Sequence, residues 1–524
     1  MFALILWVAV SIGTATGLGL PPEEPTVVHV DAREGSDDQG DGSTQAPYRT
    51  LTRGLKALDE AGPGEVRAAY GTYDVELGER FPLVVPAGVH LRGVDSASVR
   101  IDGAGADLLV RFEAGDAAAA LSGVHLKGAQ EGLRLESDSS ALSVVLRDVR
   151  LDGLVNGVRV RSPRDREQQP ELPPIRVTAV GLRAIDCEVG WVVSGPASTT
   201  LRLDECLFRE CRVGVALEAS EDEPVDAGFD PKSKTGRDRV DHDVLLTACR
   251  FESCSIAGLL RVGGAGTNDG PPYRFEGCTF ARNRIGAEFR RPCADSPMQF
   301  RGCDFLENTH MGLRVTGAAG DAASRSVLED STLRWNGVGL HLTSSLPFTV
   351  RRCRVLSNAG NGLFVSNVLT PPTRVVIEDS LIGHNGAAGI YVQADNREFT
   401  AEIVRNTIVF NGASGIRNHE RHAGVTKLTV EQNILMGNRV DLDRFEPEDI
   451  ARNIITSGFA EGIQGNIRVD PGFVSLPGWD YRLRPDSPAR DRGTAREGEE
   501  PRDVTGKPRD EKPDWGAYEY RGED

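Results

Sequence analysis

The chain has 524 residues, more than a single compact domain usually contains, so it folds either as several domains or as one elongated repeat. Its 60 basic and 77 acidic residues give a formal net charge of −17. This acidity argues against nucleic acid as the main partner, because phosphate binding requires a basic surface. Hydrophobic residues make up 39% of the chain, which excludes wholesale disorder, and 59 glycines without a triplet period are typical of an all-β chain with many tight turns.

The amino terminus has the pattern of a signal peptide at residues 1–17. Residues 2–12 are an apolar run, and Ala15 and Gly17 are small residues at a signal-peptidase spacing. The run is too short to span a bilayer as a mature helix. No basic residue precedes it, which leaves a buried first helix or strand as the alternative. We expect a secreted or periplasmic protein with no stable membrane insertion after cleavage.

Residues 51–61 are predicted to form a short amphipathic helix. Leu51, Leu55 and Leu58 have helical spacing, and Gly62 and the following Pro63 end the pattern. Such a helix can cover the open edge of a first sheet, which would otherwise pair with another chain. The acidic residues within 35–42 could also be interpreted as a calcium site, but they lack EF-hand spacing. Capping is the favoured interpretation of this segment.

A repeat occupies residues 120–440, as in CTFARNRIGA (278–287), STLRWNGVGL (331–340) and NTIVFNGASGI (406–416). Each unit opens on a small or polar residue, has Asn or Cys five residues later, and Gly eight or nine later. Apolar residues alternate at a period of two, without helical periodicity, so the units predict a β-solenoid. A leucine-rich repeat is the alternative, but its units should not contain a second alternating strand. The absence of a six-residue period argues against a left-handed β-helix.

Stacked coils place equivalent residues above one another, about 4.8 Å apart. Two polar columns follow, in which side-chain amides bond to buried turns and to each other. The first contains Cys206, Cys249, Cys278, Cys303, Ser331, Cys353, Ser380, Asn406 and Asn433. The second contains Cys187, Cys211, Cys254, Asn283, Asn308, Asn336, Asn358, Asn385, Asn411 and Asn438.

The cysteines in these columns are expected to be buried free thiols that act as small hydrophobes. Cys206 and Cys211 lie five residues apart on one strand, too far to bond. Cys278 and Cys303 would be vertical neighbours within bonding range, but their parallel side chains disfavour a disulfide. A flat column cannot supply the tetrahedral geometry of zinc. Cys293 is the one cysteine outside the columns, in a loop, and no metal or other cofactor is expected.

Two charged, proline-containing insertions interrupt the repeat at residues 162–174 and 219–243, and they could form the walls of a groove. The boundaries we expect are a cap with the first coils at 26–115, β-helix repeats at 116–460, and a carboxy-terminal cap at 461–524. The tail from Asp470 is polar and proline-rich. Its packing area would come from the aromatic residues Trp479, Tyr481, Trp515, Tyr518 and Tyr520.

The chain resembles the right-handed parallel β-helix superfamily, which has the pectate-lyase-like fold. Residues 29–94 also look like the DUF1565 segment that opens many secreted bacterial β-helix proteins, and residues 470–493 and 503–520 resemble endings found on such proteins. The matching residues are Val30-Asp31, Gly35-Ser36-Asp37, Pro47, Thr50, Gly71-Thr72-Tyr73, Phe81-Pro82 and Gly93. The resemblance implies an all-β, single-stranded solenoid of roughly 12–15 coils with terminal caps.

In this superfamily the sheet that follows the repeat glycine commonly lines a saccharide groove, so its outward residues are the candidate site. Arg can bind a carboxylate, His or Tyr can transfer a proton, and aromatic rings can stack on sugars. The predicted catalytic residues are Arg314, His341 and Tyr391. The predicted substrate-binding residues are Glu288, Arg290, Phe364, Gln393, Arg417 and His419. Thr316, Thr343 and Ser366 complete the two columns, and Arg134, Arg159, Val192, Ala216 and Leu260 continue the first one upstream.

These residues favour a polysaccharide ligand and, for an enzyme, a metal-independent lyase or epimerase of uronate-containing glycans. From Arg314 onward the columns contain no acidic cluster, which argues against calcium-dependent lyase chemistry, and no convincing pair of aspartates supports a hydrolase. Asp241 and Asp243 lie only where an insertion rejoins the coil. The net negative charge would repel a polyanion at long range. The alternative is a non-catalytic surface or matrix protein, since Arg, Thr and aromatic residues are ordinary on a solvent-exposed sheet.

Overall fold

The structure is a computed structural model that describes residues 26–522 with internal gaps. The gaps are 138–139, 162–172, 196–197, 218–241, 263–270, 291–296, 318–324, 344–345, 368–372, 395–398, 420–425, 458–461 and 495–500. The predicted signal peptide, Cys293 and most of both predicted insertions lie outside the described residues.

The chain winds as a parallel β-solenoid, which confirms the predicted parallel β-helix. Each coil contributes strands to three faces, and each strand pairs in parallel with its equivalents in the coils before and after it. On the third face fourteen levels pair in register. Their inward residues are Leu83, Val110, Leu133, Val158, Trp191, Val215, Leu259, Ala287, Leu313, Leu340, Leu363, Ile390, Ile416 and Leu442.

Three long strands near the amino terminus pass through more than one face, and the remaining strands each belong to one. The long strands are Val99–Phe112, Ala119–Glu136 and Leu142–Asp152.

The first face contains Thr26–Val30, Gly64–Ala68, Val89–Gly93, Ile175–Val180, Thr199–Asp204, His242–Thr247, Tyr273–Glu276, Met298–Arg301, Ser326–Glu329, Phe348–Arg351, Thr373–Glu378, Phe399–Val404, Thr426–Glu431 and Ile450–Ala451.

The second face consists mostly of three-residue strands, and the third face follows it in each coil. The second face contains Gly71–Asp74, Arg183–Ile185, Leu207–Arg209, Arg250–Glu252, Thr279–Ala281, Asp304–Leu306, Thr332–Arg334, Arg354–Leu356, Leu381–Gly383, Thr407–Val409, Ile434–Met436 and Ile454–Ile455. The third face contains Leu83–Val85, Asn156–Arg161, Val189–Ser194, Val213–Leu217, Ala257–Val262, Ile285–Arg290, Met311–Thr316, Val338–Thr343, Leu363–Asn367, Ile390–Ala394, Ser414–Asn418 and Val440–Asp443. Outside these faces lie the antiparallel strands Phe473–Ser475 and Asp480–Leu483 and the 3-10 turns Pro447–Asp449 and Ile463–Gly465.

The predicted helix is present at Leu51–Ala61 and packs against the first strand, Thr26–Val30. Its free amino-terminal backbone groups are satisfied locally. The Thr50 side chain accepts a hydrogen bond from the Arg53 amide at 3.1 Å, and the buried Glu79 carboxylate accepts from the first two helical amides. Gly62, with φ of 100°, ends the helix in a conformation that a residue with a side chain rarely adopts.

The asparagine ladder is confirmed in detail. Asn336 Oδ1 accepts hydrogen bonds from the Asn308 backbone amide at 3.0 Å and from the Asn308 side-chain amide at 2.8 Å, while Asn336 Nδ2 donates to the Phe305 carbonyl at 2.9 Å. The same pattern links the second column from Asn283 to Asn438. In the first column it links Asn406 and Asn433 and continues beyond the predicted residues to Asn453 and Asn466.

Cysteine occupies several ladder positions in place of asparagine or serine, and phenylalanine fills inward positions of the second face. The eight cysteines within the described residues are all buried free thiols, in agreement with the packing interpretation. The Cys303 thiol, for example, donates to the Phe275 carbonyl at 3.3 Å. Nearby rings stack face to face over four levels, with centroids 4.8–5.2 Å apart. These rings belong to Phe208, Phe251, Phe280 and Phe305.

The carboxy-terminal segment packs along the flank of the solenoid, while Asn466 and Ile467 at its start bond to the last coil. Its buried residues, including Tyr481 and Trp515, contact outward residues of the second face such as Leu381 and Ile434. The fully buried Arg509 pairs with Asp379 of the solenoid at 3.0 Å and with Glu519 of the segment at 3.0 Å. The reason is that outward apolar residues on five coils of the second face need cover, which the sequence pattern did not reveal.

Removing one ladder amide should destabilise the whole solenoid. Asn336→Ala deletes the acceptor of two amides and leaves them buried, so we expect the free energy of unfolding to fall by about 3 kcal/mol. Asn336→Cys is the matched control, because Cys254 occupies the same column, and it should cost less than the alanine variant. Urea unfolding followed by circular dichroism measures both. Equal stability of Asn336→Ala and the parent would contradict the role of the ladder.

Arg509 should hold the carboxy-terminal segment on the solenoid. Arg509→Met leaves two buried carboxylates without this cation, so the free energy of unfolding should fall by about 3 kcal/mol and proteases should cleave the segment faster. The control is Arg521→Met in the same segment, where a half-exposed cation lies 3.7 Å from Asp503 and the loss should stay below about 1 kcal/mol. Similar losses in both variants would show that the burial of Arg509 is unimportant.

Candidate functional site

The first outward column of the third face has the predicted vertical order. Backbone register places Glu288 beside Arg314, Arg314 beside His341, His341 beside Phe364, and so on without a shift. The complete downstream column is Glu288, Arg314, His341, Phe364, Tyr391, Arg417 and Asp443. Six chemically varied side chains therefore follow Glu288, one per coil.

The second outward column lies two residues further along the same strands. Its members Arg290, Thr316, Thr343, Ser366 and Gln393 pair in that order. His419 continues the column, since its backbone amide donates to the Val392 carbonyl at 2.8 Å. The Ser366 hydroxyl is buried and has no hydrogen-bond partner within the described residues.

Upstream of Glu288 the same face is apolar and covered. Val192, Ala216 and Leu260 occupy the first column in the predicted order, and Ala216 and Leu260 are only 1% exposed. They belong to an outer hydrophobic cluster with Val213, Ala257 and Ile285. Further upstream, Arg134 and Arg159 form ion pairs with Glu131. Downstream of the apolar cluster, the half-exposed part of the column thus begins at Arg314.

Glu288 lies at this boundary and is completely buried, although it points outward from the sheet. Its carboxylate accepts from Arg290 at 3.0 and 3.1 Å and from Arg314 at 3.0 Å. A buried carboxylate requires such pairing. The three side chains carry one net positive charge, and the Arg314 Nε has no hydrogen-bond partner among the described residues. Arg314 is therefore fixed in place while part of its guanidinium is left uncommitted.

His341 lies one level below Arg314 and is neutral at physiological pH. Burial and the charge of Arg314 lower the pKa of its imidazole to about 4. Its Nε2 lies 2.9 Å from the Thr343 hydroxyl. A neutral imidazole can accept a proton but has none to give as an acid at neutral pH.

A stack of rings continues down the column from His341. Its ring centroid lies 4.7 Å from that of Phe364, which lies 5.2 Å from that of Tyr391. The Tyr391 hydroxyl is hydrogen-bonded to Nδ1 of His419. The Arg417 guanidinium lies 5.7 Å from the Tyr391 ring centroid and pairs with Asp443 at 3.4 Å. Tyr391, His419 and Arg417 thus form one group.

The three residues predicted to be catalytic do not form one group. Phe364 lies between His341 and Tyr391, so these two side chains are two strand spacings apart, roughly 10 Å. Arg314 contacts Glu288 and influences His341, but it is a further level from Tyr391. Sequence reasoning gave the order of the column and missed Asp443, although extending the same rule by one unit past Arg417 would have found it.

Two further properties of the described residues bear on the site. They include no cluster of three or more His, Cys, Asp or Glu side chains suited to hold a metal ion. Within the same residues, no helix is long and apolar enough to cross a membrane. The groups that the two downstream columns of the third face offer for substrate contact are guanidinium, imidazole, hydroxyl, amide and aromatic groups and the Asp443 carboxylate.

The fold and this surface define the class of protein: a parallel β-helix with one polar and aromatic face. Residues 34–186 match the family model DUF1565, a protein family of unknown function, and residues 260–435 match the model of the right handed beta helix region. The chain is a right-handed β-helix protein with an amino-terminal DUF1565 segment, as the resemblance predicted. No curated protein sequence matches it.

Several solved β-helix structures are similar to the chain at low identity. The A-module of the mannuronan C-5 epimerase AlgE4 from Azotobacter vinelandii is 13% identical, with 82% of this chain and 100% of that chain covered and a TM-score of 0.34. An α-1,3-glucanase from Streptomyces thermodiastaticus is 13% identical over 82% and 70%, with a TM-score of 0.39. The pectate lyase Pel9A is 12% identical over 94% and 96%, with a TM-score of 0.27. These values are too low to assign a substrate or an activity to the chain.

The His341 imidazole should remain neutral down to about pH 5, because its pKa is about 4 in the folded protein. The unfolded chain binds this proton at higher pH, so this histidine makes the protein lose stability as pH falls from about 6.5 to 4. Nuclear magnetic resonance of labelled histidine gives the pKa directly. Arg314→Gln should raise it towards the ordinary value, whereas an ordinary value in the parent would contradict the buried environment.

Proposed function

We propose that the third face between Arg314 and Asp443 binds a uronate-containing polysaccharide and acts on it as a metal-independent lyase or epimerase. The observation that carries the proposal is the hydrogen bond between the Tyr391 hydroxyl and His419 Nδ1, beside the cation Arg417. A hydroxyl and an imidazole in contact can share a proton, and a cation beside them can bind the acidic group of a sugar.

Binding would depend on cations and rings that alternate along the column. Arg314, with its uncommitted Nε, and Arg417 can each bind a uronate carboxylate through charge-assisted hydrogen bonds. Between them, the half-buried rings of His341, Phe364 and Tyr391 stack on one another and offer their outward edges to the apolar sides of sugar rings. The column from Arg314 to Arg417 crosses four strand spacings, roughly 19 Å, which is enough for several sugar units.

Proton transfer would occur at C5 of the bound uronate, the carbon next to the carboxylate. The Tyr391 oxygen takes the C5 proton while the Tyr391 hydroxyl proton moves to Nδ1 of His419. Arg417 stabilises the negative charge that develops on the carboxylate. In the lyase reaction the C5 electron pair forms the C4=C5 double bond as the C4–O bond breaks, and the proton held by His419 neutralises the departing oxygen.

In the epimerase reaction the same carbanion regains a proton at C5 from the opposite side, and the chain is not cleaved. His341 is neutral and lies two levels from Tyr391, so it cannot supply this proton to a sugar unit held at Tyr391. Among the described residues of the column, no second acid therefore lies beside Tyr391. This favours the lyase over the epimerase.

A non-catalytic surface or matrix protein is the second candidate. The observation in its favour is that Arg314, His341 and Tyr391 are spread over four levels instead of converging. Such a column can still bind a glycan through its cations and rings. An extracytoplasmic location, secreted or periplasmic, belongs to both candidates and rests on the apolar run at residues 2–12.

Tyr391→Phe should separate catalysis from binding. The variant keeps the ring that stacks on Phe364 but loses the proton-transfer group, so turnover should fall at least about a hundredfold with little change in glycan affinity. The assay is the ultraviolet absorbance of the unsaturated product on a panel of polyuronates, with binding measured by calorimetry. Tyr70→Phe, which removes an exposed phenol far from the column in sequence, is the matched control and should be fully active.

The panel should be repeated in deuterated water with product analysis by nuclear magnetic resonance. Deuterium at C5 of uncleaved chains would identify an epimerase, and an unsaturated end would identify a lyase. If the parent protein binds a glycan but forms neither product, the catalytic function is excluded and the non-catalytic binding protein is supported. Absence of both binding and turnover on every polyuronate would refute the proposed function.

A further inference from the structure

A second aromatic surface lies at the corner between the second and third faces. The residue that precedes each ladder asparagine points outward there, and successive levels carry Trp335, Ser357, His384 and Phe410. Trp335 is 49% exposed, and Trp479 of the carboxy-terminal segment is 43% exposed. Large exposed aromatic side chains near one another are typical of a binding surface.

The rings at this corner are held in place by specific contacts. The Trp479 indole stacks on the His384 imidazole, with centroids 3.7 Å apart and planes 8° apart. His384 Nε2 is hydrogen-bonded to the buried Tyr481 hydroxyl at 2.5 Å, and its ring also lies parallel to Phe410. Burial and the charge of Arg334 lower the pKa of His384, which favours the neutral form of its ring. The rings form a prearranged apolar platform.

Polar atoms without partners lie between the two exposed tryptophans. The Arg334 guanidinium lies 3.8 Å from the Trp335 ring centroid, and no carboxylate among the described residues pairs with it. Arg334 Nε and the Ser357 hydroxyl are both buried from solvent without a hydrogen-bond partner in the described part of the chain. Such groups are rare in folded proteins, and a ligand is one way to satisfy them.

We propose that Arg334, Trp335, Ser357, His384 and Trp479 form a second saccharide-binding site, distinct from the one proposed on the third face, that takes an acidic sugar unit. The Arg334 guanidinium binds the carboxylate through two parallel hydrogen bonds. The indole faces cover the apolar sides of the adjoining rings. Trp335 and His384 are two levels apart, roughly 10 Å, so the ligand is an oligosaccharide that passes over Ser357.

The experiment is calorimetric titration of the full chain with hexasaccharides of galacturonate, mannuronate, guluronate and glucuronate, and with a neutral glucose hexasaccharide. Tryptophan fluorescence is recorded in parallel, because Trp335 and Trp479 are the exposed tryptophans of the described chain. We expect an acidic hexasaccharide to quench this fluorescence and to bind at least tenfold more tightly than the neutral one.

Variants assign the binding to this corner. Arg334→Gln and Trp335→Ala should each weaken the fluorescence-detected binding at least tenfold, and Trp479→Ala should do the same. Arg100→Gln and Tyr70→Ala change an exposed cation and an exposed aromatic ring elsewhere, so they should leave the affinity unchanged. Arg334→Gln alters no described hydrogen bond, which keeps the test valid if an aromatic variant fails to fold.

Variants distinguish binding at the third face from binding at the corner around Trp335. Arg417→Gln should leave the fluorescence-detected binding intact even if it abolishes every effect at Tyr391, and Arg334→Gln should leave turnover on short uronates intact. The second site is refuted if no acidic hexasaccharide binds, if the neutral sugar binds equally well, or if Arg417→Gln removes the only binding event.

Discussion

Parallel strands in a solenoid place each residue directly above its equivalent in the next coil, about 4.8 Å away. Each inward or turn residue must therefore pack well against the equivalent residues of the coils above and below it. Asparagine meets this condition, because its amide donates to one level and accepts from the other, as Asn336 does between Asn308 and Asn358. Phenylalanine meets it by stacking, and a buried thiol meets it by being small. The repeat consists of residues that stack with copies of themselves.

Like charges at this separation repel each other unless an opposite charge lies beside them, as Glu131 does beside the stacked Arg134 and Arg159. At the corner between the first and second faces charged residues alternate in sign instead. One column contains Glu276, Arg301, Glu329, Arg351 and Glu378. Glu329 pairs with both of its arginine neighbours at 2.6 Å. Each of the three inner charges in this column therefore has an opposite charge in the coil on either side. The pairing of Arg509 with Asp379 attaches the carboxy-terminal segment to this corner.

The same constraint explains which features the sequence could predict. Fixed spacing between Asn and Gly sets the register, so the amino-acid sequence alone predicts the order from Glu288 to Arg417. It does not predict the burial of Glu288, because an outward position on the sheet is by itself a solvent-exposed one. The contact between Tyr391 and His419 depends on side-chain rotamers, and the path of the carboxy-terminal segment depends on a part of the chain without a repeat. Backbone register and the asparagine ladder were predictable, whereas the contacts and burial of outward side chains were not.

The asparagine ladder and the core do not determine which residues occupy outward positions. The identity of the residues found there therefore needs another explanation. Upstream on the third face the reason is packing, since Ala216 and Leu260 are buried in an outer apolar cluster. Downstream of Glu288, half-buried rings stack beside Arg314, whose Nε has no partner among the described residues. The corner around Trp335 has the same combination of rings and an unpaired guanidinium nitrogen. Neither group is required by the ladders that hold the coils together, and leaving a buried donor unsatisfied costs about 1–3 kcal/mol. Such a cost is understandable where a ligand supplies the missing acceptor, and an acidic saccharide offers both the acceptor and the apolar ring faces.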